Sequence, residues 1–234
     1  MKKTYTKYLY PVALFLAFAV GSASAQQQSG PAPQDQLSPA EIDDLIFMRA
    51  EEKLARDSYM VLGEKWGLAI FSSISKSEQR HMDALKLLLD KFDITDPVED
   101  ETDVGNFVDP KLQTLFDDLM VWGLLSEIDG LKVGGAIEET DILDIQHAIE
   151  RTENADITAT YESLVCGSRN HLRAFIGQLE LNGEVYEPIL MSQEEISAIV
   201  DFPVERNCGL NQRGKGKNQK GKGKNPPGKG KNGR

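Results

Sequence analysis

Four segments of the chain place apolar residues every three or four positions, the spacing that puts side chains on one face of an α-helix. This periodicity predicts helices over about residues 39–63, 72–92, 130–150 and 156–181. Ser38 followed by Glu41 is a capping-box signature at the start of the first helix. Strand signals are few and scattered, so the sequence predicts an all-α fold.

The links between the predicted helices differ in length. The first and third links are short, whereas residues 93–129 separate the second helix from the third and contain two Asp-Pro helix breakers. A short link makes two helices antiparallel neighbours, and a long crossover lets the third helix run parallel to the second. We therefore expect a four-helix bundle with a long crossover between helices two and three. Shorter helices are expected after Pro110 and near residues 192–200, where Ser192 and Glu195 repeat the capping-box signature.

Polar residues interrupt each apolar stripe at about mid-length. They are Glu52 in the first helix, Glu78 and His81 in the second, Glu138 and Asp141 in the third, and Ser168 and His171 in the fourth. Burying an unpaired carboxylate costs several kcal/mol unless a shift of its pKa neutralises it. A divalent metal, or a pair of them, would compensate the buried groups of all four helices at once.

The spacing of these residues supports a metal site. Glu78-x-x-His81 puts two side chains one turn apart on one helix face, and Ser168-x-x-His171 repeats that spacing. Carboxylate and imidazole ligands favour iron or manganese, with zinc as a third option. A single residue of this kind is more often an ordinary core residue, so the interpretation depends on its recurrence in four successive helices. Because the chain has only 2 Cys and 3 His, Cys-ligated zinc sites and His-rich sites are excluded.

Several stretches of the sequence resemble known families. EKLARDSY at residues 52–59 and EQRH at residues 78–81 resemble the first two helix signatures of the ferritin-like di-metal carboxylate proteins, rubrerythrins among them. LSPAEIDDLIFMRAEEKLARDSY, KSEQRHMDALK, GSRNHLRAF and YEPILMSQEEISAIV resemble a prokaryotic family known as domain of unknown function 2202, over roughly residues 37–206. The resemblance implies a ferritin-like fold, and it implies little about reaction or substrate.

The ferritin-like scheme takes one Glu from each of two helices and Glu-x-x-His from each of the other two. Carried over to this sequence, it implies a metal-ligand set of Glu52, Glu78, His81, Glu138 and His171. Ser168 departs from the scheme, because a hydroxyl stands in the place of the second motif's Glu, and Asp141 is the candidate substitute ligand. Glu51 and Glu139 adjoin the favoured ligands and replace them if the phase of either helix is off by one residue.

The two ends of the chain differ in composition from its middle. Residues 1–25 combine a basic start, an apolar run too short to cross a bilayer and a small-x-small cleavage pattern, which predicts a signal peptide cut after Ala25. Residues 26–37 are rich in Gln and Pro and indicate a flexible linker. Residues 38–206 form the predicted ferritin-like domain, and residues 207–234 form a basic Gly/Lys/Asn tail that we expect to be disordered.

The net charge of −11 hides a strong asymmetry. Residues 213–234 carry nine Lys or Arg and no acid, whereas residues 26–212 carry 14 basic and 37 acidic residues. An acidic body suits metal cations and repels nucleic acid, so we expect no sequence-specific nucleic-acid binding. No segment after residue 25 approaches the length needed to span a bilayer, so we expect no transmembrane segment in the mature chain. The tail lacks aromatic residues, and we expect it either to bind anionic polymers or lipid headgroups or to act only as a solubilising segment.

Together these patterns predict an exported protein, secreted or periplasmic, that binds one or two iron or manganese ions. The expected chemistry is of the oxidase, peroxidase or ferroxidase type. The alternative is a non-catalytic envelope or matrix module with a structural or degenerate metal site, which Ser168 favours. In an oxidising compartment Cys166 and Cys208 could form one disulfide.

Overall fold

A computed structural model describes residues 37–206 and 208–209 of the 234-residue chain. These residues form helices and no strand, which confirms the all-α prediction. The six helices are α1 (Pro39–Trp66), α2 (Ala69–Lys91), α3 (Pro110–Gly123), α4 (Glu127–Glu150), α5 (Ala155–Leu181) and α6 (Gln193–Val200). The predicted signal peptide, all but one residue of the predicted linker and nearly all of the predicted tail lie outside the described residues.

Local sequence explains where several helices begin and end. The hydroxyls of Ser38 and Ser192 each accept a hydrogen bond from the amide of the Glu three residues later, and that Glu accepts one from the serine amide, so both predicted capping boxes are present. α1 runs past its predicted end to Gly67, which takes the left-handed conformation (φ 69°) that terminates a helix. α4 starts slightly earlier than predicted because the side chain of Ser126 caps it.

The four long helices pack around one core. α1 lies along α2 and α4 lies along α5, while α1 also contacts α4 and α2 contacts α5. Tyr59, Phe71 and Phe175 form an aromatic cluster in this core, with ring centroids 5.2–6.3 Å apart. No helix among residues 37–206 is long and apolar enough to cross a membrane.

The connection between α2 and α3 is held against α1 by buried basic side chains. The guanidinium of Arg49, which is fully buried, donates to the carboxylates of Asp96 and Glu101. The ammonium of Lys53 donates to the carbonyl oxygens of Asp103 and Asn106, at 2.8 and 3.1 Å. Because these buried charges are paired, they hold the long connection in a fixed position against α1.

The segment after α6 returns to α5. Cys208 forms a disulfide with Cys166, which was an open alternative from the sequence. Arg169 donates two hydrogen bonds, of 2.7 and 2.6 Å, to the carboxylate of Glu205, and Arg173 adds a third of 3.1 Å. The disulfide and the Arg–Glu pairs together hold the last described residues on the outer face of α5.

Candidate metal centre

Glu78 lies at the middle of a buried cluster of ionisable side chains. It is fully buried, and its Oε2 lies 2.7 Å from Nδ1 of His81, one turn further along α2. Its other oxygen, Oε1, lies 2.7 Å from Nδ1 of His171 on α5. One carboxylate therefore stands between two imidazoles, whose ring centroids are 5.5 Å apart.

Two further carboxylates flank this arrangement. Oε2 of Glu52 on α1 lies 3.2 Å from Nδ1 of His81, and Oε2 of Glu138 on α4 lies 3.4 Å from Nδ1 of His171. The side chains therefore form two triads that share Glu78, and the ligand atoms within each triad lie within 4.8 Å of one another. Each long helix supplies at least one member, and every member is buried.

Tyr59 orients one of the flanking carboxylates. Its buried hydroxyl donates a 2.6 Å hydrogen bond to Oε1 of Glu138, which leaves Oε2 of that carboxylate facing His171. The tyrosine comes from the same stripe of α1 as Glu52, about two turns further along. Burial, followed by the nearby carboxylates Glu138 and Glu78, raises the pKa of the Tyr59 phenol well above its ordinary value, so the phenol remains a hydrogen-bond donor.

Burial and mutual contact shift the pKa values at the centre in different directions. Burial raises the pKa of Glu52 and of Glu138 to about 7, against the opposing effect of the neighbouring histidine. Burial would by itself lower the pKa of His81, but Glu52 and Glu78 raise it to about 10. The pKa of His171 is likewise raised, against burial, by Glu78 and Glu138. Without a metal, the raised pKa values favour the charged form of both imidazoles, and this positive charge offsets the nearby carboxylates.

The pKa of Glu78 moves the other way. Burial would raise it, but the adjacent His171 and His81 lower it below the ordinary value of a glutamate. The central carboxylate is therefore ionised while its neighbours Glu52 and Glu138 titrate near neutrality. Glu78 and its two histidine neighbours therefore offer carboxylate and imidazole ligands of the kind that hold divalent transition-metal ions.

The oxygen and nitrogen atoms of the triads are oriented better for binding cations than for hydrogen bonding to one another. Both oxygens of Glu78, Oε2 of Glu138 and Nδ1 of His171 are buried and have no aligned hydrogen-bond partner among the described residues. Nδ1 of His171 is nevertheless only 2.7 Å from Oε1 of Glu78, so these atoms approach closely without the alignment that a hydrogen bond needs. Buried polar atoms without partners are rare, and here they belong to triads whose ligand atoms lie within 4.8 Å of one another. The residues present therefore fit a pair of cations.

Two of the residues singled out in the sequence lie apart from the triads. Asp141 is buried one turn beyond Glu138 and belongs to neither triad, and its Oδ2 has no hydrogen-bond partner among residues 37–206 and 208–209. The hydroxyl of Ser168 donates to the carbonyl of Leu164 at 3.2 Å, within its own helix. The structure therefore brings five of the six expected ligands together and leaves Asp141 aside.

The two runner-up ligands also face elsewhere. Glu139 accepts hydrogen bonds of 2.8–3.2 Å from the backbone amides of residues 189–191, and it also accepts one from the hydroxyl of Tyr186. These bonds hold the segment before α6 onto α4. Glu51 contacts Asp144, and burial followed by that contact raises its pKa well above the ordinary value. Neither carboxylate belongs to a triad.

Sequence reasoning missed Gly167. A Cβ atom at this position would lie 2.5 Å from Nε2 and 2.8 Å from Cε1 of His81, well inside contact distance. The glycine therefore provides the space in which the His81 ring turns its Nδ1 towards Glu78. The available signal was a glycine in the middle of a predicted helix, which costs about 1 kcal/mol relative to alanine and so calls for a packing reason.

The chain is similar to known proteins in both sequence and structure. Residues 41–203 match the family model described as "Uncharacterized protein domain (DUF2202)". The uncharacterized protein MJ0754 of Methanocaldococcus jannaschii is 47% identical over 180 residues, which cover 77% of this chain and 96% of that protein. The crystal structure of the hypothetical protein MJ0754 from Methanococcus jannaschii matches with a TM-score of 0.71 at 45% identity, covering 78% of this chain and all of that one.

Proposed function

The chain belongs to the DUF2202 family, and we propose that it is a ferritin-like metalloprotein that holds two iron or manganese ions around Glu78. The observation that carries this proposal is the position of Glu78, whose two oxygens each lie 2.7 Å from the Nδ1 of a different histidine. Together with His81 and His171, this carboxylate would hold two metal ions, one near each imidazole.

The order of the ligands along the chain supports a ferritin-like arrangement. In the di-metal proteins of that class, two helices each give one Glu and two give Glu-x-x-His. Here α1 gives Glu52, α4 gives Glu138, and α2 gives the complete Glu-x-x-His motif. α5 gives His171 with Ser168 in place of the glutamate, and the long link lies between α2 and α4.

The two triads indicate which residues would hold each ion. Each ion would have one imidazole, one flanking carboxylate and one oxygen of Glu78, and this leaves coordination positions for solvent or an oxidant. Iron or manganese bound in this way supplies oxidation–reduction chemistry towards dioxygen or peroxide. Tyr59 would leave Oε2 of Glu138 available to an ion by binding the other oxygen, and the buried rings of Phe71 and Phe175 pack beside Tyr59.

A second candidate function is a module whose metal is structural or whose site is degenerate. The observation that favours it is the Ser168 hydroxyl, which donates to Leu164 instead of facing the centre. Such a protein would serve as a non-catalytic envelope or matrix component, attached through its basic tail. The two candidates differ in whether bound metal reacts, so metal content and turnover are measured separately.

Metal analysis of the purified protein tests the proposal. Wild-type protein loaded under reducing conditions should contain two iron or manganese ions per chain, and the His81→Ala, His171→Ala double variant should contain none. His147→Ala is the matched control, because it removes the remaining histidine of the chain, which belongs to neither triad. A wild type without transition metal would overturn the proposal, and a double variant with full metal content would overturn the ligand assignment. Peroxide or oxygen consumption by loaded protein would favour the catalytic candidate over the structural one.

The proposed location is outside the cytoplasm, in the periplasm or the medium. The support for it is the signal-like composition of residues 1–25. Protein recovered from its native cells should begin at Gln26 when its amino terminus is sequenced. A full-length amino terminus in the cytoplasmic fraction would contradict the export proposal without affecting the metal site.

A further inference from the structure

Carboxylates recur at every third residue along one side of α4. Glu138 belongs to the metal centre, Asp141 follows it, and Asp144 follows Asp141. Since an α-helix rises about 1.5 Å per residue, successive members of this ladder are displaced by roughly 4.5 Å along the axis. Glu138 and Asp141 are buried, and Asp144 is half-buried. The ladder therefore leads from the buried centre towards the surface.

The middle of the ladder borders a small, partly open cavity. Asp141 and Glu51 both line it, together with Thr140 and apolar side chains of α1, α3 and α4, and its volume is about 10 Å³. That volume is close to what one water molecule or ion needs. Oδ2 of Asp141 is buried and has no hydrogen-bond partner within the described part of the chain, which is costly for a carboxylate unless a ligand reaches it. The cavity thus combines space for one small particle with an unpartnered oxygen.

The outer end of the ladder opens into a groove. Asp144 contacts Glu51 on its inner side and also lines this open groove, which has a volume of about 1160 Å³ and lies between α1, α4 and the connection before α3. The acids along the groove are Asp43, Asp44, Glu99, Asp100, Asp103 and Asp109. The basic side chains that line it are Lys53, which is paired with Asp57, Arg151, which is paired with Asp44, and the imidazole of His147. Because acids outnumber these basic groups, the groove favours cations.

We propose that divalent transition-metal cations reach the centre by this route, from the acidic groove past Asp144 and Glu51 to Asp141 in the cavity, and then to Glu52 and Glu138. The inference rests on the proposed function, and it adds a transfer site of three carboxylates that are not ligands of the finished centre. Glu51 interacts with Asp144, and Asp141 interacts with Glu51, Glu52 and Glu138, so carboxylate oxygens along the route would replace the water that a cation sheds on leaving the groove.

The rate of metal uptake tests the route, with Co²⁺ as the probe. Metal-free protein is mixed with Co²⁺, and the absorbance of the bound ion is followed in a stopped-flow instrument. Glu51→Gln with Asp144→Asn should slow uptake at least about tenfold, while final stoichiometry and the spectrum of the loaded centre stay as in the wild type. Asp144→Asn alone should give an intermediate rate. Glu64→Gln is the charge-matched control, since it removes one exposed acid of α1 away from the route.

Each other outcome overturns the route in a distinct way. Uptake by the double variant within twofold of the wild type would show that cations enter elsewhere, or that the ladder carries only protons. A lower final stoichiometry or an altered spectrum would make Glu51 or Asp144 a ligand of the centre itself. A wild type that takes up no Co²⁺ would overturn the proposed function together with the route. If the double variant folds poorly, Asp144→Asn decides, because this half-exposed residue lines the open groove, and an unchanged rate for it refutes the proposal.

Discussion

Replacing Gly167 by alanine tests whether the His81 ring lies where the metal centre needs it. The added Cβ would meet Nε2 of His81 at 2.5 Å and Cε1 at 2.8 Å, whereas it would lie 3.9 Å from Cε1 of His171. Restoring an ordinary contact distance requires a shift of about 1 Å, either of the His81 ring or of α5 away from α2. Both movements change the 2.7 Å distance between Nδ1 of His81 and Oε2 of Glu78.

Gly177→Ala provides a matched control in the same helix. A Cβ at position 177 meets no atom within 4 Å, so this variant should gain the helix preference of alanine, about 0.5–1 kcal/mol of unfolding free energy. Gly167→Ala gains the same backbone contribution but carries the overpacking cost, which is about 1–3 kcal/mol. The two variants should therefore differ by that cost, because the backbone contribution cancels in the comparison.

Two measurements follow for this pair of variants. Urea unfolding of the metal-free proteins should place Gly167→Ala about 1–3 kcal/mol below Gly177→Ala. Competition with a chelator should show metal affinity weakened about 10- to 100-fold in Gly167→Ala, as is usual when a neighbour that orients a ligand is changed, and unchanged in Gly177→Ala. If both variants are stabilised equally and bind metal like the wild type, the His81 ring does not pack against Gly167 and the described geometry of the centre is wrong.

Three further predictions concern pH, protons and the tail. Burial raises the pKa of Glu52 and Glu138 from 4.5 to about 7, so the metal-free protein should have this stability contribution in full below pH 4.5 and lose it as pH rises through 7. Melting temperature should therefore fall from pH 5 to pH 8 without metal, and a flat profile would contradict the burial of these carboxylates. Metal binding at pH 7 should release at least about two protons per chain, one from His81 and about one from the half-protonated Glu52 and Glu138, with a further contribution from His171, and calorimetry in buffers of different ionisation enthalpy measures that number. Deleting residues 213–234 should leave metal content and melting temperature unchanged but abolish retention on an anionic resin at low salt, and a lower melting temperature would show that the tail belongs to the fold.

Much of the helical architecture was predictable because it depends on local order. A helix repeats every 3.6 residues, so the apolar stripes and their polar interruptions identify the inward face from sequence alone. Helix starts at Ser38 and Ser192 were predictable for the same reason, since a capping box involves residues only three apart. The Glu78-x-x-His81 pair is likewise local, and it brings its two side chains together in any α-helix.

The partners of the buried charges depended on which helices pack together. Glu138 and Glu139 are adjacent in sequence, yet Glu138 faces His171, whereas Glu139 accepts hydrogen bonds from the amides of residues 189–191, about fifty residues away. Glu51 and Glu52 diverge in the same way, towards Asp144 and His81. A phase difference of about 100° separates such neighbours on a helix, and only the packing of other helices determines which direction leads to the centre.

The disulfide and the space for the histidine ring were decided entirely at the tertiary level. Cys166 and Cys208 are 42 residues apart, and their pairing required the last described segment to return to α5. Gly167 became informative only once α2 had placed His81 against it. The sequence by itself therefore determined the helices and the inward polar groups, because both follow from local periodicity. Tertiary structure decided how those groups combine, because contacts between distant helices depend on packing that no short stretch of sequence encodes.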